Sequence, residues 1–401
     1  MMIGRLEELK NNREKENGML KTKTIGAIAG AAVGDALGGS TESHSVEAIQ
    51  ERFGGFVERI EGPFYPDYAA ARPIAPFYKG DGHITDDSMM VESLISVYEK
   101  VRDHLDVFSF AQHIIPELIE TVRYVPELQC ETLLIHRLYY AEKWLLQRLH
   151  LGKVDPREAG VGNIVNCGAA MYMAPVGIVN AGNPENAYRE AIEITGAHQS
   201  SFGREAAGVF AAAVAQALVP DTSVDEIMEV ALDLAKDGTK NAIVAVLGKA
   251  RELDSWRNGL GQLRAAFRPF DSMEDEYRDP SLDARKPSRL KSIEELPLAL
   301  AMVTVAKGDY KESVLGGVNY GRDSDSIATM AGAITGAMHG VKAIPSEWLE
   351  VVERESRRDF RATGSLIAEI AEEIHAKDEE RLAIIKNKQS NLFREKLGVS
   401  S

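Results

Sequence analysis

The stretch Gly321-Arg322-Asp323-Ser324-Asp325-Ser326 runs directly into Ile327-Ala-Thr-Met-Ala-Gly-Ala-Ile-Thr-Gly-Ala-Met-His-Gly340. Ile327, Met330, Ala331, Ile334, Ala337 and Met338 recur at the helical period. This pattern predicts a deeply buried helix with Asp323, Asp325 and Ser326 at its mouth. Buried carboxylates are costly unless positive charge meets them. No Lys lies near in sequence, and Arg322 is the local cation. Two explanations stand at this point. Asp and Ser are favoured at helix starts, and hard divalent cations take carboxylate and hydroxyl oxygens.

A second stretch of the same kind weighs toward metal. Gly80-Asp-Gly-His-Ile-Thr85-Asp86-Asp87-Ser88 opens another helix, with Met90, Leu94 and Val97 along one face. A third acid, Glu42, follows Ile25-Gly-Ala-Ile-Ala-Gly-Ala-Ala-Val-Gly-Asp-Ala-Leu-Gly38, for which Thr24 is the expected N-cap. Here Gly26, Gly30, Gly34 and Gly38 fall every four residues; Gly332, Gly336 and Gly340 repeat the device. Glycine costs a helix roughly 1 kcal/mol relative to Ala. A stripe of it predicts that another backbone comes close. The two glycine-striped helices are therefore expected at the centre of a tightly packed bundle, touching each other.

The chain has 401 residues, 44% hydrophobic and 27% charged, with net charge −15. That composition fits a globular protein. Its acidity argues against nonspecific nucleic-acid or anionic-membrane binding, though not against a small phosphorylated substrate. Cys130 and Cys167 make no disulfide framework, which fits a reducing cytoplasm. Residues 1–23 are polar and lack the apolar core of a signal peptide, and Ile25–Gly39 is too short to span a bilayer.

Along the chain, residues 61–82 form a long Pro- and aromatic-rich loop, read as a lid or wall over the Thr85 cluster. Residues 104–150 read as helical, 160–168 as a Gly/Asn-rich loop, and 204–218, 222–237, 240–254, 293–307, 346–358 and 364–395 as helices. Residues 268–290 read as a surface loop. No alternating run stands out. The expected fold is all-α, a single-domain orthogonal helical bundle around a dinuclear metal site. The expected division is a polar extension at 1–23, a helical domain at 24–360 and a charged helical extension at 361–401. Five carboxylates, from Glu42, Asp86, Asp87, Asp323 and Asp325, with two or three hydroxyls, could supply two six-coordinate Mg²⁺ or Mn²⁺ ions. Zinc is disfavoured, because His83, His198 and His339 lack its usual spacing.

Together these blocks resemble the ADP-ribosylglycohydrolase family. They are Gly34-Asp-Ala-Leu-Gly38 with Glu42, Thr85-Asp-Asp-Ser88, Asn166-Cys-Gly-Ala-Ala-Met171-Tyr-Met-Ala-Pro175, His198 before an Ala-rich helix, and Val318 to Ile327. The resemblance spans about residues 24–350 in the family's order. It implies an all-helical hydrolase with two Mg²⁺ or Mn²⁺ ions, held by Thr85, Asp86, Asp87, Asp323, Asp325 and Ser326. It implies that Glu42, with Asp86 and Asp87, serves the catalytic step, Glu42 as ligand or as the acid that positions water. It matches Asn163, Asn166 and Gly168 to the diphosphate loop and puts His198 near the substrate. The bland readings are a solvated loop acid for Glu42, a core or capping histidine for His198, and turn chemistry for the loop. The implied substrate is an ADP-ribosylated protein or a small ribosylated molecule, attacked at C1″ through an oxocarbenium-like state.

The chain departs from the family pattern. Cys167 and Tyr172 stand where many members have Asn and Arg, Arg322 where Gly is common, and Ser326 where Thr is common. Ser326 keeps the ligand oxygen, whereas the first two changes touch the diphosphate and acceptor side. A smaller riboside or nucleoside is therefore the alternative substrate. A noncatalytic, crystallin-like member is the alternative of a different class.

Overall fold

The computed structural model describes residues 2–71, 76–271 and 293–394. Helices dominate, and the all-α expectation holds. Among the described residues one antiparallel pair of short strands, Val122–Val125 and Cys130–Leu133, interrupts the stretch expected to be helical from 104 to 150. Each strand has four residues, too few for an alternating pattern to register. The expected surface loop at 268–290 lies almost wholly outside the described residues.

Two antiparallel helices form the spine. They are Met2–Gly39 and Ser324–His339, the latter opened by Asp323 at its N-cap. Their glycines make the contact possible. A Cβ on Gly26 would lie 2.3 Å from the Gly336 carbonyl oxygen, and one on Gly30 would lie 2.4 Å from that of Gly332. One on Gly34 would meet Ala328 O at 2.2 Å, and one on Gly38 would meet Asp325 Cα at 2.5 Å. The register steps forward four residues on one helix and back four on the other. No side chain heavier than hydrogen fits between these backbones.

Thr24 does not cap this helix. The chain is helical without a break through it, and Thr24 is fully buried mid-helix. The preceding residues contain no proline and are rich in Lys, Glu, Arg and Leu, so nothing in them stops a helix. Lys23 is buried, and its Nζ donates to the carbonyls of Ala217, Leu218 and Val219 at 3.0, 3.1 and 3.0 Å. It thereby satisfies the C-terminal end of the Ala-rich helix Ser201–Ala217.

Around the spine pack Asp86–Val101, Glu295–Val305, Tyr310–Tyr320 and the first half of Phe360–Arg394. In that last helix Phe360, Ile367, Ile370 and Ile374 are buried, whereas Leu382, Ile384 and Ile385 are exposed. Gly364 lets it cross the N-terminal helix closely, since a Cβ there would be 2.6 Å from Ile25 Cα. No described helix is long and apolar enough to cross a membrane.

Candidate metal centre

The glycine contact delivers the site. It brings Asp35, one turn before the end of the N-terminal helix, against the mouth of the Asp325 helix. Thr85, the N-cap of Asp86–Val101, completes the junction. Its hydroxyl oxygen accepts from the Asp87 amide at 3.3 Å. That hydroxyl donates to Asp35 Oδ1 at 2.7 Å, while the Thr85 amide donates to Asp35 Oδ2 at 3.0 Å and the Ser88 amide donates to the same oxygen at 3.1 Å. On the other helix the Ser326 amide donates to Asp325 Oδ1 at 3.1 Å. Ser324 Oγ donates to Gly38 O at 2.9 Å and so locks the two helix ends together.

Asp35, Asp87 and Asp325 each offer one carboxylate oxygen to a cluster whose atoms lie within 4.8 Å of one another, and all three are buried. Glu42, Asp323 and Asp325 form a second such set, and Cys167, Glu295 and Asp323 a third. Burial pushes the Asp35 carboxyl up to about 6, although hydrogen bonds from Ser88 and Thr85 pull it down. Burial and then Glu42 push Asp325 up to about 8, against the pull of Lys79. Asp87 is held well above the usual carboxylate range by burial, then by Asp325 and Asp35. Its Oδ1 is buried without a hydrogen-bond partner. Buried acids facing each other with an orphaned oxygen are a donor set suited to a hard divalent cation.

Two cations reach the cluster from distant segments. Lys79, on the long loop, donates to Asp325 Oδ2 at 3.0 Å and to Glu42, and lies 3.9 Å from Glu127. Burial opposes the Lys79 charge, but Asp325, Glu42 and Glu127 outweigh it and hold the ammonium well above the usual lysine range. Arg137 donates to Asp86 at 2.8 Å and to Glu127 at 3.0 Å, and stacks its guanidinium over Phe77 at 4.4 Å. The local reading that no Lys is near therefore fails in three dimensions. Arg322 points elsewhere. It pairs with Glu294 at 2.7 Å and Asp271 at 2.9 Å, from a left-handed backbone with φ 57°. That φ explains why Gly suits the position.

The residues named from sequence thus divide. Asp87, Asp325, Asp323 and Glu42 come together, with Thr85 and Ser326 beside them. Asp86 faces Arg137. Asn163 Nδ2 donates to Ala141 O at 2.9 Å and His198 O at 2.7 Å, and Asn166 Oδ1 accepts from the Gly168 amide at 3.0 Å. His198 is fully buried, its Nδ1 paired with the Tyr172 hydroxyl at 3.0 Å and its Nε2 with Ala141 O at 3.1 Å. Burial lowers that imidazole to about 3, so it is neutral. Cys167 sits beside Glu295 and Asp323, its thiol pushed up by burial and by those acids.

Sequence reasoning passed over Asp35, Lys79, Arg137 and Glu127. Asp35 stood inside the quoted Gly34-to-Gly38 motif and could have been found as the polar residue among buried glycines. Lys79 lay in the loop noted for its aromatics. Arg137 and Glu127 had no local signal.

Comparison with known proteins identifies the family. The sequence profile of the ADP-ribosylglycohydrolase family matches residues 17–382. An uncharacterized protein of Archaeoglobus fulgidus is 30% identical over 338 residues, 82% of this chain and 92% of its own. The uncharacterized protein YegU of Escherichia coli is 24% identical, over 89% of this chain and all of its own. The ADP-ribosylarginine hydrolase Tri1 of Pseudomonas putida is 24% identical, over 82% of this chain and 73% of its own. A solved structure described as an ADP-ribosylglycohydrolase-related protein complex superimposes with TM-score 0.56 at 20% identity, over 88% of this chain and 99% of its own. The fold is all-helical, and the family matched over residues 17–382 is one of glycosidic hydrolases. The chain belongs to the ADP-ribosylglycohydrolase family, whose members are metal-dependent and act on ADP-ribosylated substrates.

Proposed function

We propose that this chain hydrolyses an N- or O-glycosidic bond to ribose in an ADP-ribose-type substrate, using Mg²⁺ or Mn²⁺. The observation that carries the reading is the buried set of Asp35, Asp87 and Asp325, with Asp87 Oδ1 left without a partner. By the family's pattern Thr85, Asp86, Asp87, Asp323, Asp325 and Ser326 hold the cation centre. Asp87 and Asp325 are its core in this chain, with Asp35 fixing Thr85 and Ser88 behind them. When bound, a divalent cation supplies the positive charge that grips vicinal ribose hydroxyls and acidifies water.

The protein's own groups do the rest. Glu42 orients the attacking water and takes its proton as the water oxygen bonds to C1″. The C1″ bond to the aglycone breaks, and its electron pair leaves with the aglycone. Lys79, bonded to Glu42, favours the ionised carboxylate that this task needs. Arg137 holds Asp86 and Glu127 in place. Asn163, Asn166 and His198 act as positioning residues for the loop that ends at Gly168. A cytoplasmic setting fits this substrate class and the sparse cysteines.

One observation favours a smaller riboside or nucleoside instead. Tyr172, at a position where many relatives have Arg, is fully buried and bonded to His198, so it offers the diphosphate no positive charge. Product analysis with ADP-ribosyl-arginine, ADP-ribosyl-serine and nucleosides side by side decides. Free ADP-ribose from either of the first two supports the leading reading. Ribose release from nucleosides alone would move the assignment to the smaller substrate, and no product from any of them would overturn both.

A further inference from the structure

The second acid set, Glu42, Asp323 and Asp325, does not fit a divalent ion in the way the first does. Two of its three members already share the Lys79 ammonium, which lies part-buried between them. Lys79 does not reach this place by chance of a loose side chain. The Tyr78 amide before it donates to Glu127 O at 2.9 Å, and the Asp81 amide after it donates to Glu61 O at 2.7 Å. Gly80 between them has φ 128°, and a Cβ there would lie 2.6 Å from Gly62 C. The lysine stem runs along Gly39 in ordinary van der Waals range, with Lys79 Cβ 3.7 Å from where a Gly39 Cβ would be. Phe77, two residues earlier, is anchored over Arg137. The loop is thus built to hold an ammonium at the acids.

We propose that Lys79 is a built-in cation that takes the second metal position, so that this chain binds one divalent ion, at Asp87 and Asp325 with Asp35 behind them, rather than two. A positive ammonium bonded to Glu42 and Asp325 satisfies the charge that a second ion would satisfy. A divalent ion placed against it would meet strong like-charge repulsion in a buried setting. The ammonium brings three N–H donors in place of an ion's open coordination positions. At that position it can donate to a substrate hydroxyl, where an ion would accept the hydroxyl oxygen as a ligand.

The inference rests on reading the acid cluster as a cation site, and its test is independent of any substrate. Mn²⁺ is added to the full-length, chelator-stripped protein, and bound ion is counted by mass spectrometry and followed by electron paramagnetic resonance. The expected result is one Mn²⁺ per chain with a mononuclear spectrum. Lys79→Met keeps the stem and removes the charge, and the expected count doubles to two with a spin-coupled spectrum. Lys79→Gln serves the same purpose should the Met variant fail to fold by circular dichroism. Two ions in the unsubstituted protein would overturn the inference and leave the proposed reaction standing. One ion in both proteins would overturn it as well, because the lysine would then not be what excludes the second. No bound ion at all would overturn this inference and the cation reading together.

Discussion

Thr85 and Asp35 are joined by two hydrogen bonds, the amide to Oδ2 at 3.0 Å and the hydroxyl to Oδ1 at 2.7 Å. The pair couples the end of one spine helix to the start of the helix that carries Asp87. Asp35→Asn replaces one acceptor oxygen with an NH₂ that faces these donors. The expected outcome is a loss of about 1–3 kcal/mol in stability and a fall in Mn²⁺ affinity of about 10–100-fold. Calorimetric titration and denaturant unfolding read both. Unchanged ion affinity would show that Asp35 has no bearing on the cation site.

The glycine register predicts opposite effects for chemically identical changes. Gly336→Ala would place a methyl 2.0 Å from Gly26 O, so the spine helices must part. Overpacking of this kind costs about 1–3 kcal/mol or more, beyond the intrinsic gain from Ala. Gly248, in the helix Asp237–Ala250, has nothing within 4 Å of an added Cβ. Gly248→Ala is expected to stabilise by up to about 1 kcal/mol. Urea midpoints measured for both variants check the contrast, and a neutral Gly336→Ala would contradict the close contact.

Away from the site, His104 ties the body to the C-terminal helix, with Nδ1 2.6 Å from Glu190 and Nε2 2.8 Å from Asp378. Burial alone would lower this imidazole, but Glu190 and Asp378 outweigh it and raise it to about 9. A group raised in the folded state stabilises fully below its unfolded value, near 6.5, and that contribution is lost as pH rises through about 9. The expected loss between those limits is about 1–2 kcal/mol once solvent screening is allowed for. Unfolding free energies from pH 6 to 10 should show this slope in the unsubstituted chain and a flatter one in His104→Gln. Equal slopes would remove His104 from the account.

Much of this architecture was legible because it is local. The four-residue glycine spacing announces a close helix contact, and Asp-x-Asp-Ser before an apolar helix announces buried oxygen donors. What was not legible came from distance. Lys79 meets Asp325 across 246 residues and Arg137 meets Asp86 across 51, and no periodic pattern encodes such encounters. Thr24 misled because a good cap residue is also tolerated inside a helix whose flanks do not stop it. The strands at Val122 and Cys130 were hidden by their length. The resemblance puts His198 near the substrate, and its full burial with bonds to Tyr172 and Ala141 is a contact set that no local pattern announces.

Asp86 and Asp325 separate the two kinds of cation contact at the site. Asp325→Ala removes a carboxylate shared by both acid sets that include Glu42 or Asp87. Asp86→Ala leaves Arg137 with Glu127 alone. Both are expected to lower turnover by at least about 100-fold with helical circular dichroism largely intact. Gross unfolding of either variant would point to a structural role.

The most direct test of the central claim is release of free ADP-ribose from an ADP-ribosylated acceptor, followed by mass spectrometry with Mg²⁺, with chelator, and with Asp87→Asn. The account predicts release with Mg²⁺, loss on chelation that is restored by added ion, and little or no release by the variant at any Mg²⁺ concentration. Equal release in chelator, or full activity of Asp87→Asn, would contradict it.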